Sequence, residues 1–217
     1  MEYRIAFVGA GSIGRRHIMN VSSFLRSRGD SVSIDLYRST PVRELPPETI
    51  SLVSRQYLLS DPLPEDRKYD VVFVTCPTSL HYDTIVRFLP VAKSFFVEKP
   101  VFDTADKDLS VFSSYPGTVF YVACPLRYCR VLQYVAENVD FRKAFSVRAI
   151  SSSYLPDWRP GQDYRECYSA HRDMGGGVAI DLIHEWDYLT NFFGMPELCH
   201  TIQGKVSDLE IDSDDIA

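Results

Sequence analysis

Three short runs have residue types and spacing that could do chemistry. Gly9-Ala10-Gly11-Ser12-Ile13-Gly14 fits the dinucleotide pattern G-x-G-x-x-G, between a β-rich run at 3–8 and a helical pattern at 12–28. In that setting the first glycine permits a tight turn, and the second lets the backbone approach a pyrophosphate. The third lets helix and strand pack closely, while unpaired N–H groups at the helix start face an anion. Gly9, Gly11, Ser12, Ile13 and Gly14 are therefore candidate cofactor-binding residues. A glycine-rich turn without a ligand is the alternative, and the flanking strand and helix weigh against it. The choice of dinucleotide depends on the end of the second strand, Ile34-Asp35-Leu36-Tyr37-Arg38-Ser39-Thr40. Asp35 falls inside that strand, whereas Arg38 and Ser39 end it, so NADP is favoured over NAD, with Arg38 and Ser39 toward the 2′-phosphate. Arg15 and Arg16 stand in the first helical turn, where cations oppose the helix dipole unless a phosphate is near.

The second run is Glu98-Lys99-Pro100, two opposite charges and a proline at the end of a strand. Strand ends are where ligands sit in open α/β sheets, and a lysine beside a nicotinamide is suited to proton transfer. Thr75 and Pro77, in the loop after the third clear strand, should flank the same cofactor. His81 stands in the first turn of the next helix, and Glu98 and Lys99 complete the candidate cofactor set. The third run is Gly175-Gly176-Gly177-Val178-Ala179-Ile180-Asp181-Leu182-Ile183-His184. On one helix over 177–193, Asp181, His184 and Tyr188 would share a face, and a carboxylate can fix the tautomer of an imidazole that moves protons near neutral pH. Lys99, His184 and Asp181 are thus the catalytic candidates. Arg127, Trp158 and Tyr164 join them as substrate contacts, with Arg159 and Arg165 in the same aromatic and charged loop.

These groups need elements to position them. Strand-like and helix-like stretches alternate through the first half: strands at 3–8, 31–37, 70–75, 94–97 and 119–123, helices at 12–28 and 79–89, and a proline-rich stretch at 40–66 read as one short helix with loops. Alternation of this kind predicts a parallel sheet covered by helices, an α/β class. After about residue 124 the character changes, to a helix at 127–137, a half-polar strand at 145–154, a loop at 155–174, the helix at 177–193 and strand material from 198 on. The expected division is 1–123 and 124–217.

Composition bounds the partners. Of 217 residues, 45% are hydrophobic and 24% charged, the mix of a globular protein. The net charge of −6 argues against nucleic acid or an anionic membrane surface as a partner. No apolar run has the length of a membrane span, and the first residues lack the basic flank of a signal peptide. The five cysteines are scattered and contain no Cys-x-x-Cys pair, so neither a disulfide framework nor a metal site is expected, and a cytoplasmic setting is.

Taken together and in order, the glycine loop, Glu98-Lys99-Pro100 and the run from Gly175 to His184 resemble the GFO/IDH/MocA family, the relatives of glucose–fructose oxidoreductase and inositol dehydrogenase. The resemblance implies a Rossmann domain with a parallel sheet, then an α+β domain whose open, mostly antiparallel sheet mediates homo-oligomers. It also implies NAD(P)-linked hydride transfer at a hydroxyl or keto carbon of a sugar or sugar derivative. Lys99 matches the family's lysine, His184 its histidine and Asp181 its carboxylate, although many members space the last two four apart rather than three. The stretch from Tyr154 to Pro160, with Asp163-Tyr164-Arg165 and Tyr168-Ser169-Ala170, looks like a subgroup tied to bacterial surface sugars or sialic-acid-type sugars. Family members are longer, so the second domain is expected to be truncated. A nucleotide-binding sensor or subunit without turnover is the rival expectation.

Overall fold

The computed structural model describes residues 1–40, 44–65 and 68–217. It divides into two compact units, Met1–Ala123 and Cys124–Ala217. In the first, β1 (Glu2–Val8), β2 (Ser31–Arg38), β3 (Arg55–Leu58), β4 (Val71–Val74), β5 (Ser94–Val97) and β6 (Val119–Val122) form one sheet in the order β3-β2-β1-β4-β5-β6. Every pairing is parallel. This is the doubly wound dinucleotide-binding order, with its switch point between β1 and β4.

The strands show why the residues alternate. Ala6, Val8, Tyr37, Val72, Val74, Phe95 and Val97 fall in one apolar cluster, while Ile5, Phe7, Ile34, Leu36 and Phe73 fall in the other. Successive residues on a strand point to opposite faces, so a strand covered on both sides must be apolar throughout. The helix α1 (Ser12–Ser27) covers the second cluster with Ile18 and Leu25, on a buried stripe of Gly14, Ile18, Ser22 and Leu25. After α2 (Pro47–Ile50), α3 (His81–Phe88) covers the first cluster with Ile85 and Phe88. The expected short helix within 40–66 is α2, and β3 beside it escaped the proline-rich pattern. The margins of that stretch, at 41–43 and 66, lie outside the described residues.

The second unit corrects the expected antiparallel sheet. It holds α4 (Arg130–Asn138), α5 (Val178–Asp181), α6 (His184–Phe193) and several single 3₁₀ turns, and no named strand. Residues 145–154 form none, and Phe145, Ile150 and Tyr154 are exposed. The expected strand material after 198 forms a single antiparallel bridge, Gly204 with Ile216. A strand needs a neighbour to take its N–H and C=O groups, and 145–154 has none among the described residues. The expected helix over 177–193 is also broken, with Leu182 at φ −98° and ψ 31° ending α5 before α6 begins. No helix among the described residues is long and apolar enough to cross a membrane.

Candidate functional site

The glycine loop connects β1 to α1, and its three glycines have three different reasons to be there. Gly9 has φ +98°, and a Cβ on it would lie 2.7 Å from both Thr75 O and Cys76 N in the loop after β4. A Cβ on Gly14 would lie 2.5 Å from Gly9 O and 2.8 Å from Thr75 Oγ1. Backbone conformation and packing thus explain two of them. Gly11 has an ordinary φ of −63°, and among the described residues no atom beyond its chain neighbours would stand within 4 Å of its Cβ. What a side chain there would obstruct is the approach to the start of α1. That helix start has no side-chain cap and no acidic residue in its first turn, and the N–H groups of Ser12, Ile13 and Gly14 precede the first intrahelical bond, Arg15 N–H to Gly11 O at 3.0 Å. The residues present fit a dinucleotide pyrophosphate.

At the end of β2 the acidic residue is committed elsewhere. Asp35 is 1% exposed and accepts the Tyr69 hydroxyl at 2.9 Å, and Tyr69 in turn meets the Tyr37 hydroxyl at 2.8 Å. Arg38, half-buried, and Ser39, exposed, stand at the strand end.

Two expected cofactor residues turn their side chains inward. The Thr75 side chain is buried and bonded inward, to Val8 O at 3.1 Å and Gly9 O at 2.9 Å, so it fastens the glycine loop to β4 rather than reaching outward. His81, 1% exposed, meets Cys76 O at 3.0 Å through Nε2, and Pro100 O and Val101 O, both at 3.1 Å, through Nδ1. Both ring nitrogens face protein carbonyls, and in the neutral ring only the nitrogen that carries the proton donates. Burial, the largest influence, lowers the His81 pKa from its usual value, and the carbonyls and Glu98 offset this only in part. Pro77 precedes the 3₁₀ turn Thr78–Leu80 that leads into α3.

Lys99 follows β5, and the Lys99–Pro100 peptide bond is cis. Glu98 is held through its N–H, which donates to Val74 O at 3.0 Å. Its carboxylate accepts from His17 Nε2 at 2.6 Å, and the His17 ring lies edge-on to Phe96 with centroids 5.0 Å apart. The Glu98 carboxylate thus ties the end of β5 to α1. Sequence reasoning missed His17. Its one signal was a polar residue on the sheet-facing stripe of α1, three positions after Gly14.

In the second unit the expected Asp181–His184–Tyr188 face is interrupted at Leu182. Asp181 is 6% exposed and accepts the Tyr168 hydroxyl at 2.5 Å. Burial, together with the Asp181 charge, pushes the Tyr168 phenol up, so Tyr168 stays a proton donor at neutral pH. The Arg159 guanidinium lies over the Tyr168 ring, 5.7 Å from its centroid. Tyr168 is the second group missed as a site residue, since nothing in its spacing ties it to Asp181. The glycine run sets this arrangement: Gly176 N–H donates to His171 O at 2.9 Å, and a Cβ on Gly176 would collide with Tyr168 O.

His184 opens α6, half-buried. Three residues on, Asp187 binds Arg127 in a fork, at 3.0 and 3.1 Å from Nε and 2.5 Å from Nη2. Burial alone would raise the Asp187 carboxyl, but Arg127, the Cys124 thiol and the nearby His184 hold it below the usual range. Arg127, expected at the substrate, is thus engaged in fixing α6. Trp158 donates through Nε1 to Ser153 Oγ at 2.6 Å, and the Tyr164 hydroxyl accepts from Glu210 N–H at 3.2 Å. With Leu155, Pro156 and Arg159 these two rings line a shallow depression.

Comparison with known proteins agrees with this geometry. The family model described as "Oxidoreductase family, NAD-binding Rossmann fold", GFO/IDH/MocA, matches residues 3–111. The uncharacterized oxidoreductase YrbE of Bacillus subtilis is 24% identical over 195 residues, covering 86% of this chain and 52% of that protein. The chain thus spans about half the length of this curated relative. Among solved structures, the WlbA dehydrogenase of Bordetella pertussis in complex with NADH and UDP-GlcNAcA superposes with a TM-score of 0.70 at 16% identity, over 99% of this chain and 66% of that one. An NAD-binding protein from Listeria innocua gives 0.63 at 17%, over 99% and 61%. At these identities the likeness concerns the fold.

Proposed function

The chain belongs to the GFO/IDH/MocA oxidoreductase family, with its NAD-binding Rossmann fold, and from that premise we propose that it serves NAD(P)-dependent hydride transfer at a hydroxyl or keto carbon of a sugar or sugar derivative. The observation that carries the reading is Gly11, a glycine that neither its backbone conformation nor its protein neighbours require. The start of α1, with the N–H groups of Ser12, Ile13 and Gly14, holds the pyrophosphate. Arg38 and Ser39 take the 2′-phosphate of NADP, since the nearby carboxylate of Asp35 is spent on Tyr69. Bound there, the nicotinamide supplies the acceptor or donor of a hydride.

The chain's own residues handle the proton. Lys99 and His184 are the two groups of suitable type to take it from the substrate hydroxyl or return it. Asp181, kept in place by Tyr168, is the carboxylate of the set. The 155–168 loop, with Trp158 and Tyr164, offers aromatic faces and hydroxyls of the kind that bind polyhydroxylated ligands. The sugar class has support from the WlbA dehydrogenase, whose structure holds NADH and a nucleotide sugar.

The test is turnover on a panel of sugars, polyols and nucleotide sugars, followed by nicotinamide absorbance. Lys99→Ala and His184→Ala should each lower kcat by at least about 100-fold while leaving cofactor affinity nearly unchanged. Near-normal turnover in either variant removes that residue from the mechanism. Dinucleotide binding with no turnover on any substrate would favour a sensor or subunit.

A further inference from the structure

Lys99 is flanked on both sides of the chain by residues that two histidines hold. On one side, His17 of α1 binds the Glu98 carboxylate at 2.6 Å. On the other, His81 at the start of α3 meets Pro100 O and Val101 O, both at 3.1 Å. Neither histidine is a remote scaffold residue. His17 stands one helical turn beyond Gly14, on the helix whose start would hold the pyrophosphate. His81 also reaches back to Cys76 O at 3.0 Å, and Cys76 N is one of the atoms against which Gly9 is packed.

We infer that His17 and His81 are positioning residues that brace the Lys99 turn between the two cofactor loops, so that order at the glycine loop is passed to residues 98–101. The inference rests on the nucleotide reading above. It assigns these histidines no contact with cofactor or substrate.

First, both contacts are shielded. The His17 and Glu98 side chains are only 19% and 13% exposed, and His81 is 1% exposed, so water competes poorly for them. Second, the turn belongs to no regular element. Pro100 has no N–H to donate, and residues 98–109 lie in no helix or strand. Third, the two braces are complementary. His17 holds a side chain on one side of Lys99, whereas His81 holds main-chain carbonyls on the other. Fixing the residues on either side limits the rotations that could displace Lys99, and a proton-transfer group must be held in place to be effective.

Amide hydrogen exchange on the 217-residue chain tests this, with and without saturating NADH, in the parent, His17→Ala and His17→Gln. Glutamine keeps an N–H donor for the Glu98 carboxylate, and alanine removes it. In the absence of NADH, the peptide covering 94–103 should exchange at least about tenfold faster in His17→Ala than in the parent, and within about threefold of the parent in His17→Gln, while β1 and β4 stay protected in all three. On adding NADH, residues 9–16 should slow in every protein. Residues 94–103 should slow in the parent and His17→Gln but not in His17→Ala. A second substitution, His81→Ala, should produce the same loss of coupling at 94–103 from the other side.

Unchanged exchange at 94–103 in His17→Ala would overturn the brace. So would equal behaviour of the alanine and glutamine variants, which would mark a packing role only. A parent that shows no NADH protection at 9–16 would overturn the nucleotide reading instead, and the comparison of the three proteins without NADH would still decide the brace.

Discussion

Residues 1–123 and 124–217 hold their polar backbone in different ways. In the first unit each of the six strands lies beside a parallel neighbour, and two apolar clusters fill the faces. In the second, Cys167 and Ala170 are the buried hydrophobic side chains among the described residues, and the chain is tied by side chains and turns: Tyr168 to Asp181, Arg127 to Asp187, Arg172 to Asp214. A sheet makes stability cooperative over long stretches, whereas local ties stabilise only what they touch. The glycine loop and Glu98-Lys99-Pro100 stand on the cooperative unit, and Asp181 and His184 stand on the locally tied one.

The largest expected difference is in hydrogen exchange. Amides in 145–154 should exchange about a thousandfold faster than those of β1 and β4. Similar protection in both units would show that the second unit has cooperative structure beyond its visible bonds.

A sharper contrast lies inside the first unit. Gly9→Ala places a Cβ against the backbone of Thr75 and Cys76 at a positive φ, and should cost about 3 kcal/mol in urea unfolding. Gly11→Ala, with open space around its Cβ, should cost less than about 0.5 kcal/mol. Equal costs would remove the distinction between a packing glycine and a ligand glycine.

The smallest effect is set by pH. Because the His81 pKa is lowered in the folded protein, the unfolded chain binds a proton more readily. The first unit should keep its full stability above about pH 6.5 and lose it as pH falls from there toward the folded value, by at most about 1.4 kcal/mol per pH unit from this group. In His81→Gln that part of the slope should vanish, as measured by urea midpoints between pH 7 and pH 5. An unchanged slope would mean that His81 does not titrate differently on folding.

The same contrast explains what was legible in the sequence. The strands of the first unit are nearly continuous apolar runs such as Val71–Val74, and the glycine spacing marks where β1 turns into α1. Both signals are local, and the structure follows them. The strand pattern at 145–154 is just as local, but a strand is completed by its neighbour, which the pattern does not contain. The break at Leu182 was hidden for a related reason: 177–193 reads as one amphipathic helix, while its start is anchored by Val178 N–H to Asp214 O, 36 positions away by number. His17 with Glu98 and Tyr168 with Asp181 are likewise pairs whose members look ordinary singly. Lys99 and His184 were singled out by resemblance, whereas the contacts that hold their neighbours join residues far apart in sequence.

The most direct test of the account is a fluorescence titration of the folded protein with NADPH and with NADH, repeated on Gly11→Val. The account predicts saturable binding of both, tighter for NADPH, and a loss of at least about tenfold in affinity for Gly11→Val with its urea midpoint unchanged. No saturable binding of either dinucleotide to the parent, or parent-like affinity in Gly11→Val, would contradict it.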